Sequence, residues 1–497
     1  MESIALAFSL VADPYVLGVI LAASLFGLFV GAIPGLTATM ATALLVPVTF
    51  FMPPVPAVAA IVSCTAMAIF SGDIPGALLR MPGTPASAAY TDEAYRMTRK
   101  GQAELVLGAG LVFSAIGGLL GTLVLVTSAP ALAEVALNFS SFEYFWLVLL
   151  GLTCAVFIAS DRPLKGLVSL LLGLLLATVG LNNPAAHPRF TFGVDDLLGG
   201  ISFIPLMVGM FAVSEVLRFV VSSTGSRLNL AQERFGNIFA GQWALMRRYP
   251  LAIFRGSAVG TAIGALPGAG ADIAAWISYA ISKKFSRTPE KFGTGHIEGV
   301  VESGAANNGA LSGAWIPALV FGIPGDSITA IAIGVLYMKG MNPGPTIFLN
   351  NPENIYAVFI VFFLANLLML PLGMLAIKLY KQILRVPRNA LMPIILLFCM
   401  VGAFAINNTA FDIGVMLVAG VAAFLMERNG FPIAPLILGV VLGPMFEENL
   451  ATSLIKAEGS WVAFFERPIA AALGVVTLVV WLLPLAIKIL RSRRARA

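Results

Sequence analysis

The sequence predicts an all-α polytopic membrane protein made of two inverted-topology repeats, with helical hairpins and broken helices. Three observations predict it: the composition, a recurring pair of Pro-Gly motifs, and the charge of the loops. Of 497 residues, 59% are hydrophobic and 11% charged, with a mean hydropathy of +0.92. Soluble domains are roughly 45–50% apolar and about 25% charged, so a soluble or disordered chain is excluded. Apolar runs of about 17–25 residues recur, the length at which a helix crosses a bilayer. We expect about 11 full spans plus two re-entrant hairpins. Net charge is +5, with the basic residues in short loops, which argues for a lipid bilayer and no nucleic acid as the surroundings. Cys64, Cys154 and Cys399 lie in apolar segments without metal-ligand spacing, and His187 and His296 stand far apart. The N-terminus carries Glu2 and Asp13 but no Lys or Arg, so it lacks a signal-peptide n-region.

Lys and Arg in short loops mark the cytoplasmic side. The basic loops hold Arg96, Arg99 and Lys100; Arg227, Arg234, Arg247 and Arg248; Lys283, Lys284, Arg287 and Lys291; and Lys378, Lys381, Arg385 and Arg388. Arg491, Arg493, Arg494 and Arg496 add a basic tail. Pro47–Pro56, Ala129–Ser141, Asn182–Gly200, Lys339–Asn354 and Glu447–Arg467 are neutral or acidic. One span between each change of side puts the N-terminus outside and the C-terminus inside.

Gly31-Ala32-Ile33-Pro34-Gly35 returns as Gly264-Ala265-Leu266-Pro267-Gly268, at an offset of 233 residues. Ile74-Pro75 with Pro82-Gly83 returns as Ile316-Pro317 with Pro324-Gly325, at an offset of 242. Pro47–Pro56 has no charge, whereas its counterpart near Lys283–Lys291 is strongly basic. Arg96–Lys100 is basic, whereas its counterpart near Lys339–Asn354 is nearly neutral. Equivalent loops thus face opposite sides, the mark of an inverted repeat with cargo held at the midplane. The expected layout is a first repeat over 1–221, a basic cytoplasmic linker over 222–250, a second repeat plus an extra C-terminal span over 251–490, and a basic tail over 491–497.

Taken in order, Val16–Phe51 is apolar and broken only at Ile33-Pro34-Gly35. Each arm has roughly 16–18 residues, or about 24–27 Å of helix, marginal for a core of about 30 Å. This favours a re-entrant hairpin with its tip at Pro34-Gly35, although two tilted spans leave the same sidedness. Pro removes a backbone donor and Gly permits positive φ, so backbone groups come free at the tip. Thr37 and Thr39 follow with oxygen ligands; alternatively their hydroxyls bond back to their own helix. Next, Ser71-Gly72-Asp73-Ile74-Pro75 leads to Arg80-Met81-Pro82-Gly83-Thr84-Pro85, read as a broken crossing segment. Asp73 and Arg80 are costly in apolar surroundings; a mutual ion pair and substrate contact are both open to them. Leu251–Ser282 is the second hairpin, with its tip at Pro267-Gly268-Ala269-Gly270 and Asp272 just beyond. The second broken segment runs from Ala306-Asn307-Asn308-Gly309 to Gly322-Ile323-Pro324-Gly325-Asp326-Ser327. Unwound stretches of this kind turn half-helix N-termini to anions and carbonyls to cations.

These residues resemble the large membrane subunit of tripartite tricarboxylate transporters, the TctA type. The resemblance runs over nearly the whole chain: Gly31–Phe50; Pro82-Gly83-Thr84-Pro85 with Asp92 and Lys100-Gly101; Gly264–Gly270; Ala306-Asn307-Asn308; Gly322–Gly325; and Pro343-Gly344-Pro345. It implies secondary uptake of carboxylates across a bacterial inner membrane, coupled to sodium or protons. It also implies a small membrane subunit (TctB type) and a periplasmic solute-binding protein (TctC type), and no resident cofactor. Three positions depart from the family pattern. Gly304, with Glu302 nearby, stands where an acid is frequent, Asp326 where small hydroxyl residues are frequent, and Arg80 where Asn is frequent.

The expected substrate contacts are Gly35, Thr37, Arg80, Pro82, Gly83, Thr84, Gly268, Asn307, Asn308, Pro324 and Gly325; the expected cation ligands are Thr39, Gly270, Asp272 and Asp326. Oxygens group into two sets for a sodium ion. One joins Thr37 and Thr39 to Gly83-Thr84; the other joins Gly270 and Asp272 to Asn307, Asn308 and Asp326. The two acids can instead carry a proton. The same fold moving another organic anion, or exporting, is the nearest alternative. A membrane-embedded enzyme needs a nucleophile, metal ligands or paired acids at one face, and the histidines and acids are scattered.

Overall fold

The computed structural model describes residues 2–158, 162–181, 187–221, 236–383 and 388–494. Among these residues the elements are helices, with a single isolated β-bridge between Gly180 and Arg189. Arg227, Arg234, Arg385 and Arg496, the start of the Asn182–Gly200 loop and residues 222–235 of the 222–250 linker lie outside the described residues, as do the side chains of Lys381, Arg388, Arg491, Arg493 and Arg494. The chain divides into two compact units, one of Met1–Ala133 with Ile204–Leu425, the other of Glu134–Phe203 with Met426–Ala497. Each unit draws on both halves of the sequence.

Within the first unit, α1 (Pro14–Gly31) starts where Asp13 accepts the Tyr15 N–H (2.7 Å), with Pro14 at the first helical position. It stops at Ala32–Leu36, where Gly35 takes a φ of 89°. Thr37 then caps α2 (Ala38–Thr49), accepting the Met40 N–H at 3.1 Å. At 12 residues, α2 is about 18 Å long and falls short of a bilayer core. The second copy repeats the plan: α8 (Pro250–Gly264), a break in which Gly268 has a φ of 82°, and α9 (Gly270–Phe285). Between them lie α3 (Pro54–Ser71), α4 (Asp73–Leu79), α5 (Pro85–Ala88), α6 (Thr91–Arg99) and α7 (Ala103–Ala136). After α9 come α10 (Ile297–Phe321) and α11 (Ser327–Met338).

The two copies are packed alike. In each, the first hairpin helix lies with glycines directly on the backbone of the long helix. A Cβ at Gly27 would stand 2.2 Å from Cys64 O and one at Gly260 2.3 Å from Ala306 O; at Gly31 the neighbour is Ala68 O (2.4 Å), at Gly264 Ala310 O (2.2 Å). Every pair keeps the offsets of 233 and 242. Side chains are excluded at these crossings, so α1 seats on α3 and α8 on α10 at backbone contact.

The breaks differ from the expected positions in one respect. Gly72 is helical (φ −62°), and α3 with α4 makes a continuous apolar run over Pro54–Leu79. Likewise α10 runs unbroken through Asn307-Asn308-Gly309, which we expected to be unwound. The two amide side chains find partners on other elements and so do not compete with their own backbone. The actual breaks are Arg80–Thr84 and Gly322–Asp326. Both open with a left-handed residue, Arg80 (φ 58°) and Gly322 (φ 68°), and both close on a capping box, Thr84 with Ser87 and Asp326 with Thr329.

Loops of like expected sidedness meet. Lys339 Nζ donates to Phe50 O (2.7 Å), joining two of the neutral loops. Lys100 Nζ donates to Thr294 O (2.7 Å), and Glu93 accepts the Gly295 (2.7 Å) and His296 (2.8 Å) N–H groups, joining two of the basic ones.

In the second unit, helices Ser141–Ile158, Ile433–Lys456 and Pro468–Arg494 pack around Phe145, Trp146 and Phe464, while Pro163–Ala177 lies on Ile433–Lys456, where a Cβ at Gly173 would stand 2.0 Å from Leu436 O. Trp146 Nε1 donates to Phe464 O (2.9 Å), Arg467 pairs with buried Glu143 (2.6 Å) and Arg189 with Glu447 (2.8 Å). Across the described residues, eight helices are long and apolar enough to cross a membrane. The about eleven full spans expected are not all among them; Pro163–Ala177, for example, has only 15 residues.

Candidate functional site

The two breaks and the second hairpin tip converge. Gly83 donates its N–H to Gly72 O (3.0 Å), and a Cβ there would stand 2.7 Å from Gly31 O and 2.6 Å from Gly72 Cα. Gly325 is set the same way: a Cβ would stand 2.7 Å from both Gly264 O and the Ala314 Cβ. Its carbonyl accepts the Gly268 N–H at 2.7 Å, tying the second break to the second tip. Each Pro-Gly step (Pro82-Gly83, Pro324-Gly325) therefore lies on the end of its own hairpin helix. Neither position has room for a larger residue.

The copies also cross over. Asp272, in the first turn of α9, accepts the Ala86 N–H from α5, just after the first break (3.1 Å). Trp276, one turn further on, donates Nε1–H to Pro85 O (3.2 Å). Gly270 has a φ of 55° and lies against Asp326, whose Cβ would be 2.6 Å from a Cβ at Gly270. Asp272 stands two residues on from Gly270, on the same helix turn that meets Asp326. Thr84, Asp272 and Asp326 thus meet with Gly268, Gly270 and Gly325 in one neighbourhood, fed by the N-termini of α5, α9 and α11. Asp326 spends Oδ1 on capping α11 through the Thr329 N–H (2.7 Å) and hydroxyl (2.7 Å). Among the described residues no group of three or more His, Cys, Asp or Glu side chains gathers as for a transition metal. The oxygens here are carboxylate, hydroxyl and backbone, which suits a hard cation.

The first tip is simpler. Gly35 is exposed, and Thr37 and Thr39 are half-buried in the first turn of α2. Thr37 is engaged in capping, so its hydroxyl serves the helix as well as any ligand.

Two expectations are corrected. Arg80 does not pair with Asp73. It points outward from its left-handed cap, 57% exposed, and pairs with Asp92 at 2.8 Å. Asp73 is buried and accepts from Tyr90 OH (2.6 Å). The Asn pair does not complete the Asp272–Asp326 group. Asn307 Nδ2 donates to Tyr90 OH (3.2 Å) and Asn308 Nδ2 to Ala66 O (3.1 Å), so both face first-copy elements. Their Oδ1 atoms are buried without a hydrogen-bond partner. Tyr90 and Trp276 escaped sequence reasoning because nothing in their spacing marks them. Arg255 also went unnamed, although a charge in an apolar arm is the signal that marks it. It donates Nε–H to Glu302 (2.7 Å), which is 0% exposed.

Comparison with known proteins gives three findings. Residues 17–438 match the profile described as the tripartite tricarboxylate transporter TctA family. A protein of Agrobacterium vitis described as an uncharacterized 52.8 kDa protein in the TAR-I ttuC' 3' region is 36% identical over 463 residues, covering 93% of this chain and 92% of its own length. A second Agrobacterium vitis protein, from the TAR-II ttuC' 3' region, is 36% identical over 228 residues, covering 45% of this chain and 94% of its own length. No solved structure matches.

Proposed function

Because the chain belongs to the tripartite tricarboxylate transporter TctA family, we propose that it is the large membrane subunit of a bacterial inner-membrane importer for tricarboxylates or related carboxylates, driven by a coupling cation. A TctB-type small membrane subunit and a TctC-type periplasmic binding protein complete the system. The observation that carries this reading is the meeting of both Pro-Gly breaks with Asp272 and Asp326.

Backbone N–H groups at helix N-termini attract an anion. Two carboxylates beside the same point repel one. A carboxylate substrate can therefore settle there only with a cation that offsets Asp272 and Asp326. Joint occupancy is the physical basis of coupling. We assign sodium to this role, with Gly270, Asp272, Asp326 and carbonyls freed at the Pro-Gly steps as ligands, and Thr39 at the pseudo-equivalent first tip. Gly35, Thr37, Thr84 and Gly268 then face the substrate.

The inverted topology is part of the same proposal. It is supported by the matched glycine contacts of the two copies and by the pairing of neutral with neutral and basic with basic loops. The N-terminus is periplasmic and the C-terminus cytoplasmic.

Uptake of labelled carboxylates into proteoliposomes tests the function, with and without the binding protein. Sodium is replaced by choline at fixed pH with the proton gradient collapsed. Uptake should fall to background. Full activity in choline rejects sodium and transfers Asp272 and Asp326 to proton carriage; no carboxylate uptake under any condition favours another organic anion or export.

A further inference from the structure

One buried acid has no part in the scheme above. Asp73 is 7% exposed, inside the apolar run from Pro54 to Leu79. Oδ1 accepts from Tyr90 OH (2.6 Å), whose oxygen accepts from Asn307 Nδ2 (3.2 Å). Oδ2 is buried and has no hydrogen-bond partner. It faces Gly110, 3.4 Å from where a Cβ would stand. Asp73 and Gly110 both line a small cavity of about 10 Å³.

The walls of that cavity decide what Asp73 can hold. α7 brings Leu107 and Gly110 and α10 brings Val300, while Ser87, Tyr90 and Thr91 are its polar members besides Asp73. Ser87 and Thr91 already donate their hydroxyls, to Thr84 O (2.9 Å) and Ser87 O (2.8 Å). Tyr90 is the other titratable side chain on the wall, and no basic side chain lines it. A carboxylate has about four acceptor positions, and here one donor serves them. A buried charge so poorly compensated is expensive. A hard cation asks for about six oxygens; the cavity has too few, and its volume is that of about one water.

We propose that Asp73 is a proton-binding site, protonated at Oδ2, which exchanges that proton with solvent during the transport cycle. Loading forms one O–H bond at Oδ2 and turns a solvent hydronium into water; unloading is the reverse. The Tyr90 contact stays on Oδ1 throughout. Tyr90 and Asn307 link the site to α10, and Ser87 adjoins Ala86, which holds Asp272. The site therefore borders the cargo neighbourhood, and only its place in a transport cycle rests on the proposed function.

Infrared spectroscopy of the full chain in lipid reads the site without any transport. The wild type should show the carbonyl stretch of a protonated carboxylic acid at neutral pH, absent from Asp73→Asn. Tyr90→Phe removes the donor that favours the charged form, so the band should persist to higher pH. Identical wild-type and Asp73→Asn spectra would overturn the proposal, and so would a Tyr90→Phe band with unchanged pH dependence. If Asp73→Asn fails to fold, Asp73→Glu takes its place and should shift the band; an unmoved band overturns the site equally. Uptake is measured on the same vesicles. The band without carboxylate uptake keeps the proton site and rejects the carboxylate-import reading; uptake without the band does the opposite.

Discussion

At the scale of single residues, the Pro-Gly steps combine close packing with the ends of helices. Gly83→Ala and Gly325→Ala each force a methyl onto a carbonyl at 2.7 Å. We expect each to cost about 1–3 kcal/mol, as overpacking does, visible as a lower melting temperature in detergent. Asp326 separates two roles. Asn caps a helix as well as Asp does, whereas Ala loses roughly 0.5–2 kcal/mol. Asp326→Asn should keep the melting temperature and lose sodium dependence of uptake; Asp326→Ala should lose both. Unchanged sodium dependence in Asp326→Asn would remove this residue from the cation site. The sequence made Gly83, Gly325, Asp272 and Asp326 legible, because Pro-Gly in an apolar run and a lone acid both carry a cost that needs a reason. It misled on Arg80. Charge complementarity suggested Asp73, but the partner was decided by the left-handed cap, which turns Arg80 outward to Asp92.

At the scale of elements, the first helix of each hairpin is fused to a long helix by glycine–carbonyl contact, while the short helices after the breaks are held by side chains. Glu93 on α6 is one such tie. It is 1% exposed and accepts N–H groups from Gly293, Gly295 and His296, together with the Tyr279 hydroxyl (2.8 Å). Glu93→Gln should destabilise by roughly 1.5–3 kcal/mol, the range for hydrogen bonds to a charged group, and should expose Lys283–Lys291 to protease. Unaltered proteolysis would mean that the loop is held elsewhere. Helix ends were readable from Pro and Gly, but the state of α10 was not. Asn307-Asn308-Gly309 reads as an unwound stretch until the partners of the two amides are known, and those partners, Tyr90 and Ala66, lie more than two hundred residues away.

At the scale of the whole molecule, composition sufficed for a polytopic membrane protein and loop charge for the sidedness hypothesis. Single cysteines at Lys291 and Asn351, in a chain freed of Cys64, Cys154 and Cys399, should label from opposite sides of the membrane. Labelling from one side would end the inverted reading. The division into two compact units was not legible, because each unit is assembled from segments far apart in sequence.

The unbroken α10 also bears on biogenesis. It carries Glu298, Glu302, Asn307 and Asn308, all buried in the finished protein, and is not among the helices apolar enough to enter a bilayer unaided. Its amides are met by groups that leave the ribosome earlier, on α3 and just before α6. The second half should therefore wait on the first: α10 enters the membrane only against an existing protein surface, and a ribosome-stalled chain ending soon after α10 should integrate it only when residues 54–99 are present.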